Sequence, residues 1–368
     1  MVFWSTTTAA PRYIDTWRKQ PARFLRLLSA TIPKLPAGLD GLKSPVRLTQ
    51  DDIGLVSAFW TQHYGGDDWY LDAQPVWVST YLEDSGVIVL GLKEFSGELI
   101  ATIVSTPLTR GRTVTSNGGM LHSGTMRVIE GLCIAKQYRD KGLAGYMIAA
   151  MDTHTSSSRP MAHLWYRESA MKPLLSTALR TDTYAMMRTK KAQLRLNVEP
   201  YPWLEFIKRW ELTCFQWTIH DGIEKPACIL AISPTKRSNH IDVWITKKTP
   251  TRQTDPRRVV VVVHTRRRSL PEDEPILEVA WCGYLEGTSL RPNTGGRGFR
   301  PVIESVGAQY VNSLFFAHSG YMGGEACADW AHEGLWRYGK SGVHSTYLYN
   351  YVGPSYGSTE VYAIREEI

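Results

Sequence analysis

The stretch from Val128 to Met151, VIEGLCIAKQYRDKGLAGYMIAAM, joins an apolar strand to a helix through a short basic turn. The turn is Gln137-Tyr138-Arg139-Asp140-Lys141-Gly142, and Leu143, Tyr146, Met147 and Met151 then recur at helical spacing. The first N–H groups of a helix have no partner within it, and the helix dipole favours negative charge there. With Arg139 and Lys141 beside them and Gly142 letting the backbone approach, they form a socket suited to a pyrophosphate. An ordinary strand–turn–helix with a solvated basic turn fits the same pattern, so both readings stand at this point. The Walker loop and the dinucleotide fingerprint are missing.

Other reactive residue types are dispersed. Cys133, Cys214, Cys228, Cys282 and Cys327 are odd in number and far apart, which argues against a disulfide framework or a zinc site and for a reducing compartment. Cys133, on an apolar strand, reads as buried filler. The ten histidines form no H-E-x-x-H, and no metal is expected. Arg266-Arg267-Arg268, at the end of the Val259–Val263 run, fit either an anionic ligand or a solvated strand end.

These residues sit in a chain of 368 with 43% hydrophobic and 21% charged residues, enough for two cored domains, and its net charge of +7 favours an anionic partner. No apolar stretch reads as a transmembrane span or signal peptide, and a cytoplasmic location is expected. Residues 1–48 read as an irregular arm. A helix from Thr49, with Thr49 and Asp51 as capping candidates, precedes a second helical stretch that follows Asp68 and runs to Leu82. Strands are expected at Val87–Lys93, Leu99–Ser105 and Met126–Ile134, then a helix from Gly142 to Thr153. After a join at 190–202 come strands at Ala227–Ser233, His240–Thr246, Val259–Thr265 and Ile276–Leu285, a helix near 325–338 and a last strand, Thr346–Val352. Strand pairs followed by a strand–loop–helix unit, twice, predict two similar α/β halves.

Arg139-Asp140-Lys141-Gly142-Leu143-Ala144 resembles the R/Q-x-x-G-x-G/A loop of the GNAT acyltransferases, which hold the pyrophosphate of acyl-CoA at that helix N-terminus. Further segments resemble one branch, the N-myristoyltransferases. Phe3-Trp4-Ser5-Thr6 is similar to the N-terminal F-W-x-T, and Ile129-Glu130-Gly131-Leu132-Cys133-Ile134 to I-N-F-L-C-V. His63-Tyr64-Gly65-Gly66-Asp67-Asp68 is similar to the N-Y-x-x-D-D loop. Tyr347-Leu348-Tyr349-Asn350 with Pro354, Gly357 and Val361 is similar to the closing Y-L-Y-N-W-x-x-P-x-x-G-x-x-x-V.

The resemblance implies an α/β fold with a mixed sheet, made of two fused GNAT-like halves. Residues 1–48 would cover CoA, 49–195 would bind acyl-CoA, and 196–368 would bind the acceptor. It implies transfer of a long-chain acyl group, myristoyl foremost, from acyl-CoA to an amine such as the N-terminal glycine of a protein. The chain would act as a monomer, without metal or nucleic acid and with at most peripheral membrane contact. By the same resemblance, the oxyanion donors are the amides of Gly131 and Leu132. Phe3, Trp4, Cys133, Ile134 and the loop Arg139, Asp140, Lys141, Gly142, Leu143 and Ala144 would hold the CoA. Tyr64, Asp67, Asp68, Tyr349 and Asn350 would meet the acceptor.

Departures from the family pattern open alternatives. The family's base is its C-terminal carboxylate, but this chain runs about two residues further, so Glu366 stands where the family ends and Ile368 carries the terminus. Glu130 replaces the family's Asn; it is a second candidate base if partly buried, or else a partner of Arg127 or Arg139. The loop Tyr338-Gly339-Lys340-Ser341-Gly342 lacks the family's acid. An acetyl-CoA-dependent acetyltransferase and an inactive relative kept for binding are therefore the competing expectations.

Overall fold

The computed structural model describes residues 23–24, 34–67, 69–107, 113–114, 120–121, 126–155, 162–168, 178–188, 197–209, 241–247, 257–270, 273–292, 300–310, 314–318, 336–337, 342–349 and 351–352. The first half holds β1 (Arg23–Phe24), β2 (Val46–Arg47), α1 (Ile53–His63), β3 (Trp69–Leu71), α2 (Pro75–Glu83), β4 (Ile88–Lys93), β5 (Leu99–Pro107), β6 (Thr113–Val114), β7 (Met120–Leu121), β8 (Met126–Ile134), α3 (Leu143–Thr155), β9 (Ala162–Glu168) and β10 (Ala178–Arg188). The second holds β11 (Val198–Pro200), β12 (Ile241–Thr246), β13 (Arg258–Ser269), β14 (Pro275–Glu286), β15 (Ser289–Pro292), α4 (Arg300–Gly307), β16 (Leu314–His318), β17 (Trp336–Arg337), β18 (Gly342–Tyr349) and β19 (Tyr351–Val352).

One 15-stranded sheet spans both halves in the order β11-β12-β13-β14-β16-β10-β18-β9-β8-β5-β4-β2, with β15 on β14, β17 on β10 and β3 on β13. The order reads alike from the middle outward. In the first half β4, β5 and β8 form an antiparallel meander, and α3 carries the chain to β9, parallel to β8. In the second, β12, β13 and β14 form the meander, and α4 precedes β16, parallel to β14. Each half then gives its next long strand to the other. β10 pairs with β16 and β18 with β9, and β10 and β18 pair with each other at the centre. The expected mixed α/β fold of two similar halves is present, with this exchange joining them.

Each half has its own core. Around α1, α2, α3, β4 and β5 the first packs Trp60, Trp77, Leu90, Ile103 and Met147. The second is built on β13, whose Val260–Val263 are all fully buried, with Phe206, Trp281 and Ile303. Such a β-branched run buried on both faces is what a central strand requires.

The two halves differ where their parallel strands part. The β8–β9 ladder ends at Ile129↔Trp165 although β8 runs on to Ile134, leaving a V-shaped gap. The β14–β16 ladder likewise ends at Glu278↔Phe316. There β15 turns back onto Gly283–Glu286. Because β13 holds the other edge of β14 from Pro275 to Leu285, β15 lies on the β16 side and fills the second gap.

Several boundaries differ from expectation. The segment from Trp69 to Leu82 is not one helix, because Trp69–Leu71 pair with Arg267–Ser269 as strand, and α2 starts at Pro75, whose fixed φ suits a first turn. Asp52, not Asp51, completes the cap of the first helix, its carboxylate accepting the Thr49 N–H at 3.0 Å. Trp336–Arg337, expected as helix, pair with β10. The last strand begins at Gly342 and breaks after Tyr349. Ala227–Ser233 lies outside the described residues.

Candidate functional site

The gap beside β8 is lined by a β-bulge. Val104 pairs with Glu130 and Thr102 with Cys133, so Gly131 and Leu132 together oppose the single residue Ile103. Gly131 takes φ +59°, a conformation that costs other residues energy. Its carbonyl accepts the Thr102 hydroxyl at 3.0 Å, and the same hydroxyl accepts the Trp60 indole N–H at 2.8 Å. A trans peptide sets C=O and N–H in opposite directions. With the Gly131 carbonyl fixed toward β5, the Leu132 N–H is aimed away from β5, toward the gap.

Glu130 sits on this strand, 8% exposed, with its Oε1 accepting the Thr106 hydroxyl at 2.9 Å. Arg127, one of its expected partners, leaves the strand on the opposite face, as residues three apart do. The Arg127 guanidinium donates to the Ser105 hydroxyl (2.6 Å) and to the carbonyls of Ser105 (2.8 Å) and Gly86 (2.7 Å).

On that opposite face the closed end of the V carries a buried polar group. Arg127 is in register with His163 of β9. His163 Nδ1 lies 3.9 Å from Asp152 of α3, and its Nε2 lies 2.9 Å from the Thr155 hydroxyl. Burial, aided by the charge of Arg127, pushes His163 down to about 3. The unfolded chain therefore binds one more proton than the folded one between about pH 6.5 and pH 3. This stability is intact above the unfolded pKa and is lost as pH falls toward 3, with a slope of up to about 1.4 kcal/mol per pH unit. Urea unfolding midpoints between pH 7 and pH 4 should therefore fall less steeply in His163→Gln than in the parent.

At the other end of β8 the chain turns into α3. A short 3₁₀ turn, Lys136–Tyr138, leads to Arg139, Asp140 (φ +61°), Lys141 and Gly142 (φ +80°). The turn delivers the chain to the first turn of α3, whose amides at Leu143 and Ala144 have no partner within the helix and suit an anion. Pro36 packs on the outer side, 3.5 Å from where a Cβ at Gly142 would lie. Arg139, expected to face the phosphates, donates instead to the carbonyls of His63 (2.6 Å) and Ile134 (3.2 Å), tying the turn to the ends of α1 and β8. Lys141 is exposed, with its ammonium 4.9 Å from the Tyr138 ring centroid. Burial pushes the Cys133 thiol up to about 12, Arg139 pulling it slightly back, so Cys133 is no nucleophile. Ile134 is half-buried beside the first core.

Beside α1 lies the loop expected to meet an acceptor. Tyr64 to Leu71 fold as a tight hairpin: Gly65 bridges Tyr70, Gly66 N–H donates to the Trp69 carbonyl at 3.0 Å, and Leu71 N–H donates to that of Tyr64 at 3.0 Å. A Cβ at Gly65 would come within 2.5 Å of the Trp69 carbonyl, so that position requires glycine. Tyr64 is half-buried with its ring 6.3 Å from Trp69, and Asp67 is exposed at the tip.

Glu130, Gly131 and Leu132 thus lie on β8 beyond its last rung with β9, the Arg139–Ala144 turn follows the end of that strand, and the Tyr64–Asp67 hairpin is attached to the turn through His63. Tyr349 pairs with His163, in the row of Arg127, on the far side of the last β8–β9 rung from the bulge. Phe3, Trp4, Asp68, Asn350, Glu366 and Ile368 lie outside the described residues. Sequence reasoning missed Thr102, Thr106 and Trp60. The alternation along β5 puts Thr102, Val104 and Thr106 on one face, but only the register with β8 shows that they serve Glu130 and Gly131. Among the described residues no cluster of three or more His, Cys, Asp or Glu could hold a metal, and no helix is long and apolar enough to cross a membrane.

No family model matches the chain, and no curated protein matches it in sequence. Solved structures do. Saccharomyces cerevisiae N-myristoyltransferase with bound myristoyl-CoA and inhibitors superposes with a TM-score of 0.66 at 11% identity, over 97% of this chain and 91% of that one. A second structure of the yeast enzyme with bound myristoyl-CoA gives 0.66 at 12% identity, over 97% and 89%. A third gives 0.57 at 12%, over 93% and 94%. The likeness spans both halves, and what it establishes is the fold: this chain shares the fold of the yeast N-myristoyltransferase.

Proposed function

We propose that the chain is an acyl-CoA-dependent N-acyltransferase. The observation that carries this reading is the gap beside β8, filled by no strand among the described residues, with a bulge amide aimed toward it and a helix N-terminus following the end of the same strand. A thioester carbonyl seated there would place its oxygen at the Leu132 N–H and the neighbouring Gly131 amide, where negative charge develops in the tetrahedral state. The pyrophosphate would lie on the Asp140–Ala144 amides and Lys141. Glu130, on the same strand, would take one proton from the ammonium so that the neutral amine can attack; as the C–N bond forms and the C–S bond breaks, the nitrogen's second proton would pass to the sulfur, and the thiol would leave toward the turn. Asp67 at the hairpin tip, with its neighbour Asp68, would draw a cationic amine or basic peptide toward the gap.

The finer reading is that the acyl group is long, myristoyl foremost, and that the acceptor is an N-terminal glycine. The yeast structures, solved with myristoyl-CoA, support it. On this reading residues 1–48 cover the CoA, residues 49–195 form the acyl-CoA half, and residues 196–368 form the acceptor half.

Native mass spectrometry of the purified chain with acyl-CoA of graded length, followed by transfer to a glycyl peptide, tests this. One myristoyl-CoA per chain is the expected mass, because β15 fills the second gap, and N-acylated peptide is the expected product. Binding and transfer confined to acetyl-CoA would make it an acetyltransferase. No binding of any acyl-CoA would overturn the proposal.

A further inference from the structure

Three consecutive arginines at the end of β13 reach aromatic side chains of the other half, Arg266 and Arg267 directly and Arg268 through Asp273. The Arg266 guanidinium lies 5.2 Å from the Trp77 ring centroid and donates to the Tyr81 hydroxyl at 3.4 Å. The Arg267 guanidinium lies 4.2 Å from the Trp69 ring centroid, and its Nε lies 3.7 Å from Glu278 Oε2, both side chains being 6% exposed. Arg268 Nε donates to Asp273 at 2.7 Å, and the same carboxylate oxygen accepts the Tyr70 hydroxyl at 2.5 Å. These contacts follow the β3–β13 ladder, Arg267↔Leu71, Arg268↔Tyr70 and Ser269↔Trp69. The run is therefore neither a free anionic-ligand patch nor a set of solvated strand ends.

Trp69 is the post around which the hairpin turns. Its carbonyl receives the Gly66 N–H and stands in the space a side chain at Gly65 would need, and its indole ring lies 3.1 Å from where a Cβ at Gly66 would sit. Arg267 stacks on that ring from the second half, with Glu278 of β14 fixing its direction. We infer that Arg267 is a positioning residue for the acceptor: from the second half, through Trp69, it sets the aim of the Tyr64–Asp67 hairpin that belongs to the first. This rests on the proposed reading of the hairpin as the acceptor loop. A planar guanidinium can stack on the ring and face Glu278 at once, which an ammonium does less well.

The test is Arg267→Lys, which keeps the charge, with Glu278→Gln as a second variant that leaves Arg267 in place but loosens its direction. Hydrogen exchange is read first. The Gly66 and Leu71 amides should exchange faster in both variants, while those of β8 and α3 keep parental rates. In a transfer assay the acceptor KM should then rise by roughly 2- to 30-fold in Arg267→Lys, with acyl-CoA affinity unchanged. Unchanged hairpin exchange in both variants overturns the inference whatever the enzyme does. So does a general rise in exchange that includes β8 and α3, which would mark a merely structural role. Faster hairpin exchange with an unaltered acceptor KM keeps Arg267 as the hairpin's anchor but removes the hairpin from the acceptor site, and so overturns the acceptor role. A parent chain that binds no acyl-CoA, yet whose hairpin loosens in the variants, locates the failure in the proposed activity.

Discussion

Glu130→Gln should lower kcat by about 10²- to 10⁴-fold while leaving acyl-CoA affinity close to that of the parent. Glutamine has nearly the same volume and its carbonyl can still accept the Thr106 hydroxyl that Glu130 receives at 2.9 Å, so the strand and bulge should stay in place. What disappears is the group able to take a proton from the ammonium. The rate should accordingly lose the acidic limb of its pH profile, because that limb reports protonation of the base. Acyl-CoA binding followed by native mass spectrometry separates this loss from misfolding. If Glu130→Gln stays within a few-fold of the parent and removal of Glu366–Ile368 abolishes turnover, the base is at the chain terminus, as the family resemblance implies.

The strand that carries Glu130 is legible because its signals are local. Met126–Ile134 is an apolar run bounded by a Gly/Ser-rich loop and a basic turn, and the structure keeps those bounds. α3 follows from the spacing of Leu143, Met147 and Met151, all buried against the first core. The doubled plan is legible too, since each half repeats the order of strand pairs followed by a strand–loop–helix unit. The exchange of β10 and β18 is not. Its rungs, such as Asp182↔His344, join residues far apart in sequence, and a strand's own alternation says nothing about its partner.

The same limit explains the site. Arg139 reads as an anion-binding group, and Arg266–Arg268 as either an anionic-ligand patch or a solvated strand end, because charge type is visible in a sequence and the carbonyls and rings that use it are not. Arg139 spends its donors on His63 and Ile134, and Arg267 lies buried between Trp69 and Glu278. Gly131 and Gly142 are different. Both adopt positive φ, and both are flagged by glycine standing in an otherwise side-chain-rich motif. Backbone demands of this kind leave a trace at one position, whereas a long-range contact leaves half a trace at each of two.

Thr102→Val tests the most compact of these long-range arrangements. Valine has nearly the same shape as threonine, and position 102 is fully buried, so packing is kept and only the hydroxyl is lost. That hydroxyl serves two groups at once, the Trp60 indole N–H at 2.8 Å and the Gly131 carbonyl at 3.0 Å. A buried polar group left unpaired costs about 1–3 kcal/mol, so two should cost about 2–6 kcal/mol in the free energy of unfolding measured in urea. The effect should not stop at stability. Without its acceptor bond the 131–132 peptide is free to rotate, and a Leu132 N–H that no longer points into the gap stops supporting the developing oxyanion, a loss on the order of 10²- to 10³-fold in kcat. Thr102→Ser, which keeps the hydroxyl and removes one methyl group, should cost about 1 kcal/mol and retain most of the turnover. A Thr102→Val enzyme that is destabilised but turns over at the parental rate when folded would show that the bulge peptide holds the sheet together without touching the reacting carbonyl. The donor would then have to be sought elsewhere along the open edge of β8.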